Sequence, residues 1–185
     1  MIDFGVPNFD FDELTKCSHG GAMYARNQAL AKAPEMLASG QCLALLLQVL
    51  RDHVASTVDV VCALRYAEQI DGLWYGYDVA VQGKAQGSTS YYPKSQHTRF
   101  QAADVHCHGH DLDDVWAWLA DECGHPFGQV INERRGGAHW LHVSIPGTSL
   151  IDGRWIEGEC LSYVHGRTPA YRRERDISAV RARWT

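Results

Sequence analysis

Residues 34–53 constrain the fold more than any other stretch. Met36, Leu37, Leu43, Leu45, Leu46, Leu47, Val49 and Leu50 crowd the run that begins at Pro34. That apolar density suits a largely buried helix, with Pro34 near the first turn, where its missing N–H is no loss, and His53 near the end. Directly after it, Val58-Asp59-Val60-Val61-Cys62-Ala63-Leu64 is short and β-branched, which favours a buried strand delivering Arg65-Tyr66 at its C-terminal end. Asp111–Cys123 reads as a second helix with an acidic first turn; Leu112, Val115, Trp116 and Leu119 share one face, and Gly124 and Pro126 stop it. Two strands follow, Phe127–Glu133 and His139–Ile145, joined by Arg134-Arg135-Gly136-Gly137-Ala138, a loop of hairpin length. The expected architecture is α+β, a small antiparallel sheet packed against a few helices.

The flanks say less. Residues 1–20 mix Phe4, Phe9 and Phe11 with Asp, Asn, Pro and Gly, the composition of an irregular arm whose aromatics dock onto the body. Residues 71–94 are rich in Gly, Ser, Tyr and Gln, with Trp74, Tyr75, Tyr77, Tyr91 and Tyr92 interleaved. Such a loop either contacts a ligand or merely covers the core. The tail from residue 147 stays unassigned, with a charged segment from Tyr171 that has helical potential. No repeat or linker marks a boundary within the 185 residues, so one domain, 1–185, is expected.

A net charge of −5 gives no general pull toward nucleic acid, although Arg172, Arg173, Arg175, Arg181 and Arg183 make the end locally basic. The first residues lack a signal-peptide pattern, and no apolar run approaches the roughly 20 residues that span a bilayer. A cytosolically made chain with neither a nucleic-acid nor a membrane partner is the expectation. Cys17, Cys42, Cys62, Cys107, Cys123 and Cys160 are scattered, without a C-x-x-C pair. Reduced, partly buried thiols are therefore expected rather than a structural zinc knot.

Two stretches carry chemistry. Ser95-Gln96-His97 through Asp104-Val105 supplies a His and an Asp, and His139-Trp140-Leu141-His142-Val143-Ser144 supplies a second His on a strand. Alternation puts Ala102, Asp104 and His106 on one face and Ala103, Val105 and Cys107 on the other. His97 precedes Asp104 by an odd number of residues, so both can serve one site only if the chain bends between them. Leu141, Val143 and Ile145 make an apolar face, leaving Trp140, His142 and Ser144 opposite. His97, Asp104 and His142 would then form a three-ligand site with an open position, as a catalytic zinc requires. His106, Cys107, His108 and His110 are a rival cluster that reads more plainly as a solvated strand end.

Ser95-x-His97 with Ala102-x-Asp104, and Trp140-x-His142 downstream, resemble S-x-H-x-x-G-x-A-x-D and W-x-H of the zinc D-Ala-D-Ala carboxypeptidase and hedgehog-fold metallopeptidase family. The closest resemblance is to its bacteriophage-type peptidoglycan-peptidase branch. Asn8–Leu14 resembles that branch's opening NF-x-x-x-E-[FL], and Pro126–Glu133 resembles its PFDQLI-x-E. The resemblance covers about residues 8–146. It implies zinc held by His97, Asp104 and His142, and hydrolysis of amide bonds in peptidoglycan stem peptides, as a D,D-carboxypeptidase or an L-Ala-D-Glu-type endopeptidase. It further implies action on the bacterial wall after release or as a virion component.

Within that resemblance Glu133 is the candidate general base, with His139 the alternative proton-transfer or hydrogen-bonding residue. Arg65 is a candidate anchor for a substrate carboxylate, and Ser95 and Trp140 are candidate substrate contacts. Two departures stand out. Phe100 occupies the motif glycine, and His139 occupies the place where some relatives carry a catalytic Glu. They motivate an alternative, a non-catalytic zinc-stabilised binding or virion module. The hairpin register decides between roles for Glu133. A four-residue loop pairs it with Ala138 and turns it toward His142, whereas a five-residue loop pairs it with His139 and turns it away.

Overall fold

The computed structural model describes residues 2–16, 21–76, 94–149, 152–164 and 171–174. The long helix is α3 (Pro34–Val54), preceded by α1 (Phe11–Thr15) and α2 (Gly21–Leu30). Pro34 sits in the first turn of α3, and Ala55, at φ 49°, closes the helix with its N–H on the Arg51 carbonyl. Leu43, Ala44, Leu46, Leu47, Leu50 and Val54 are buried along it. Each buried leucine contributes about 1.5–3 kcal/mol, so Leu47→Ala would cost about 2–5 kcal/mol.

The N-terminal arm docks as its aromatics suggest: Phe4, Phe9 and Phe11 are all buried. Asp10 caps α1 by accepting from the Glu13 N–H at 2.7 Å. Helix α2 has no apolar stripe that would have announced it. Its contribution is Asn27, which is 1% exposed and spans elements. The Asn27 side chain donates to the carbonyls of Leu64 (2.9 Å) and Thr15 (3.1 Å) and accepts from Tyr66 N–H (2.9 Å). This fixes the turn that carries Arg65.

The remaining elements are β1 (Val58–Cys62), β2 (Ala67–Ile70), β3 (Leu73–Gly76), a 3₁₀ turn (Gln96–Arg99), β4 (Ala102–Cys107), α4 (Leu112–Asp121), β5 (Gln129–Arg135) and β6 (Ala138–Ser144). Four short strands complete the set: β7 (Gly147–Thr148), β8 (Trp155–Ile156), β9 (Glu159–Val164) and β10 (Tyr171–Arg173). The main sheet runs β1-β4-β6-β5-β9-β10. All its pairings are antiparallel except β5 with β9, which is parallel. The α+β class holds, with a mixed rather than purely antiparallel sheet.

One face of the sheet is the core. Ala103, Val105, Val130, Leu141 and Val143 meet α3, α4 and the N-terminal phenylalanines there. Trp116 fastens α4 by donating from Nε1 to the Val130 carbonyl at 3.2 Å.

Several expectations are corrected. Strand β1 is an edge rather than a buried strand, with Val61 58% exposed, because among the described residues no strand pairs on its outer side. The unassigned tail adds β7 to β10, and Tyr171–Arg173 extends the sheet instead of forming a helix. The β5–β6 loop is neither four nor five residues: Arg135 pairs with Ala138, leaving Gly136-Gly137 at φ 55° and 87°. Two adjacent glycines supply the positive φ of a tight two-residue turn, so both strands reach closer to the turn than expected, to Arg135 and from Ala138. Of the aromatic loop, Trp74 and Tyr75 fall in β3, whereas Tyr77, Tyr91 and Tyr92 lie outside the described residues, as do Cys17, Arg175, Arg181 and Arg183. Among the described residues there is no disulfide, and no single helix is long and apolar enough to cross a membrane.

Candidate metal centre

Asp104 and His142 are direct cross-strand partners on β4 and β6, so their side chains rise side by side from the face opposite the core. His97 arrives from the 3₁₀ turn. Ser95 caps that turn, its Oγ accepting from His97 N–H at 3.3 Å, and Phe100 ends it in the left-handed region at φ 59°. Phe100 thus adopts the conformation in which glycine is easiest. The cost of about 1–2 kcal/mol for a side chain there is offset by burying the ring completely. The ring packs edge-on to Phe4, with centroids 6.1 Å apart, and so close to Gly40 that a Cβ on Gly40 would lie 2.6 Å from it.

Three atoms converge: His97 Nε2 and His142 Nδ1 are 3.1 Å apart, His142 Nδ1 and Asp104 Oδ1 3.1 Å, and His97 Nε2 and Asp104 Oδ1 3.2 Å. A tetrahedral ion with bonds of 2.0–2.1 Å has edges of about 3.3 Å. His97 Nδ1 lies 2.8 Å from the Ala63 carbonyl, an acceptor only, so Nδ1 carries the hydrogen and Nε2 is left with its lone pair. The His142 Nε2 faces Gln96 Oε1 at 3.5 Å. Three ligand atoms share one point: a metal ion there would take all three lone pairs, and without one a hydrogen on His142 Nδ1 would be donated to Asp104. Among the described residues this is the one group of His, Cys, Asp and Glu side chains whose ligand atoms converge for a metal ion, and it can hold one.

Charge supports ligation. Burial pushes His97 below its ordinary pKa, against the pull of Asp104, and keeps the ring neutral. Burial alone would raise Asp104; the interactions with His97 and His142 outweigh it and hold the carboxyl well below the usual range. Arg65 Nη2 donates to the other carboxylate oxygen, Oδ2, at 2.5 Å, and its backbone N–H donates to the His97 carbonyl at 3.1 Å. Arg65 therefore orients the Asp104 carboxylate, a role beyond the expected substrate anchor.

The cluster opens into a cleft of about 580 Å³ that Ser95, Trp140 and Glu133 also line. Glu133 pairs with Trp140 and so shares the face of His142. Burial, only partly offset by His142 and Arg65, raises its carboxyl to about 7. His139 is not brought to the site: it lies on the α4 side, with Nε2 2.8 Å from Asn132 Oδ1. The rival cluster does not assemble either, since His108 pairs with Asp59 while Cys107 is buried on the core side. Sequence reasoning missed Gln96 and the tail residues Arg154 and Tyr163, which wall the cleft. Only the adjacency of Gln96 to His97 offered a signal. Comparison with protein-family models, curated proteins and solved structures finds no match to the chain.

Proposed function

We propose that this chain is a zinc-dependent peptidase that hydrolyses amide bonds in peptidoglycan stem peptides. The observation that carries the reading is the convergence of His97, Asp104 and His142 acceptors in one cleft with Glu133. Two imidazoles and one carboxylate are a zinc donor set that leaves a position for substrate, and the motif resemblance supplies the substrate class. Zinc bound there would acidify a water molecule and polarise the scissile carbonyl.

The chain's own residues do the rest. Glu133, with its carboxyl near 7, is matched to accept a proton from the attacking water and return it to the leaving amine. Arg65 keeps Asp104 oriented through its ion pair. Trp140 and Tyr163 offer apolar walls to the stem peptide. The substrate is the sole partner the reading requires, met at the bacterial wall after release or from a virion.

The alternative, a zinc-stabilised module without turnover, drew on the missing motif glycine and the displaced acid. The conformation of Phe100 and the cleft-facing Glu133 favour catalysis instead. The test is digestion of purified peptidoglycan by the zinc-loaded protein, with released fragments identified by mass. New amino termini or free D-Ala that depend on zinc and on Glu133 are expected. Zinc binding with no released peptide or amino acid would point to the module.

A further inference from the structure

We propose that Gln96 is a positioning residue: its amide oxygen holds His142 in the Nε2–H form, so that the Nδ1 lone pair is presented to the metal position. The inference rests on the metal-site reading above.

Gln96 has a fixed root. Its carbonyl accepts from Gln101 N–H at 3.1 Å, and the turn around it is closed by Ser95 and by Thr98, whose Oγ1 donates to the Ser95 carbonyl at 2.7 Å. From there Oε1 reaches His142 Nε2 at 3.5 Å, the long limit of a hydrogen bond. The other end of the same amide is revealing, because Nε2 is buried with no hydrogen-bond partner among the described residues. A buried donor left without an acceptor is destabilising, and an apolar side chain would avoid that cost. Rotating the amide would turn its donor toward His142 and bury the oxygen instead. With Oε1 toward His142, the amide offers that ring an acceptor. A histidine ligand has its metal-facing nitrogen set by the hydrogen bond its other nitrogen makes, as Ala63 does for His97. Gln96 does the same for His142 with a side chain.

The test compares the wild type with Gln96→Leu, Gln96→Ala and Gln96→Glu. Three readouts are needed: zinc affinity by chelator competition, His142 tautomer by long-range nitrogen–proton NMR, and melting of the zinc-free protein. Gln96→Leu and Gln96→Ala should weaken zinc binding about 10–100-fold. They should also shift His142 toward the Nδ1–H form and leave zinc-free melting of Gln96→Leu unchanged or higher. Gln96→Glu, which keeps an acceptor, should restore affinity to within a few fold. Unaltered zinc affinity in both apolar variants, or a loss that only tracks lower zinc-free stability, overturns the role of Gln96 alone. A wild type that binds no zinc overturns the metal reading and this inference together.

Discussion

Strands β5 and β6 carry polar clusters on opposite faces, built from the same kinds of residue and behaving differently. On the α4 side, Arg134 Nη2 donates to both Asp113 oxygens at 2.6 and 2.8 Å. Asn132 donates to Asp113 Oδ1 at 2.6 Å, and its own oxygen faces His139 Nε2 at 2.8 Å. Donors of Arg134 and Asn132 meet the Asp113 carboxylate, and these contacts brace the hairpin against α4. On the cleft side, His97 Nε2, Asp104 Oδ1 and His142 Nδ1 converge on one point, 3.1–3.2 Å from one another. A His and a carboxylate are present on both faces, so residue type does not distinguish a brace from a metal site. What distinguishes them is whether three ligand atoms meet at one point, as they do only on the cleft side among the described residues.

The largest expected effect falls on the cleft face. Glu133→Gln should lower peptide release about 10²–10⁴-fold while zinc stays bound; a full rate would remove Glu133 from proton transfer. Next, zinc at a hundredfold excess over Kd should stabilise the wild type by about 2.7 kcal/mol in thermal or urea unfolding, and His97→Ala should abolish that gain. An undiminished gain would show that the ion sits elsewhere.

A pH series separates the faces further. The folded-state carboxyl of Glu133 lies near 7, above its ordinary value of 4.5, so between those values the folded chain holds a proton that the unfolded chain has lost. Zinc-free wild type should therefore lose stability, on the order of 2 kcal/mol relative to Glu133→Gln, as pH rises from about 4.5 to 7. A flat difference across that window would place Glu133 in solvent.

The brace should respond in the opposite way. Asp113→Ala should cost about 1–3 kcal/mol by leaving Arg134 and Asn132 without their acceptor, with zinc affinity unchanged. The smallest effect is expected from His139→Ala: under about 1 kcal/mol, and hydrolysis within twofold of wild type. A large loss of hydrolysis there would restore His139 to the chemistry.

Much of this could be read from the sequence because it follows local rules. The apolar density of α3, the alternation that sends Asp104 and His142 away from Val105 and Leu141, and the parity that demands a bend before Asp104 are all short-range patterns. The bend itself was less legible. Phe100 in a left-handed conformation makes sense only beside Gly40 and Phe4, contacts between residues far apart in the chain. Asn27 looked like any polar helix residue, because its three backbone partners belong to Thr15, Leu64 and Tyr66. The hairpin register was missed by counting from an expected strand end, although Gly136-Gly137 is the pair a two-residue turn uses. The parallel β5–β9 pairing and the cleft wall it brings had no local signature at all.

The cluster of His97, Asp104 and His142 is proposed to hold a cation. Anomalous diffraction at the zinc edge, from crystals grown with zinc, addresses it directly. One peak within about 2.0–2.2 Å of His97 Nε2, Asp104 Oδ1 and His142 Nδ1 is the expected result. An empty cluster in zinc-saturated crystals, or a peak only at His106 and His108, would contradict it.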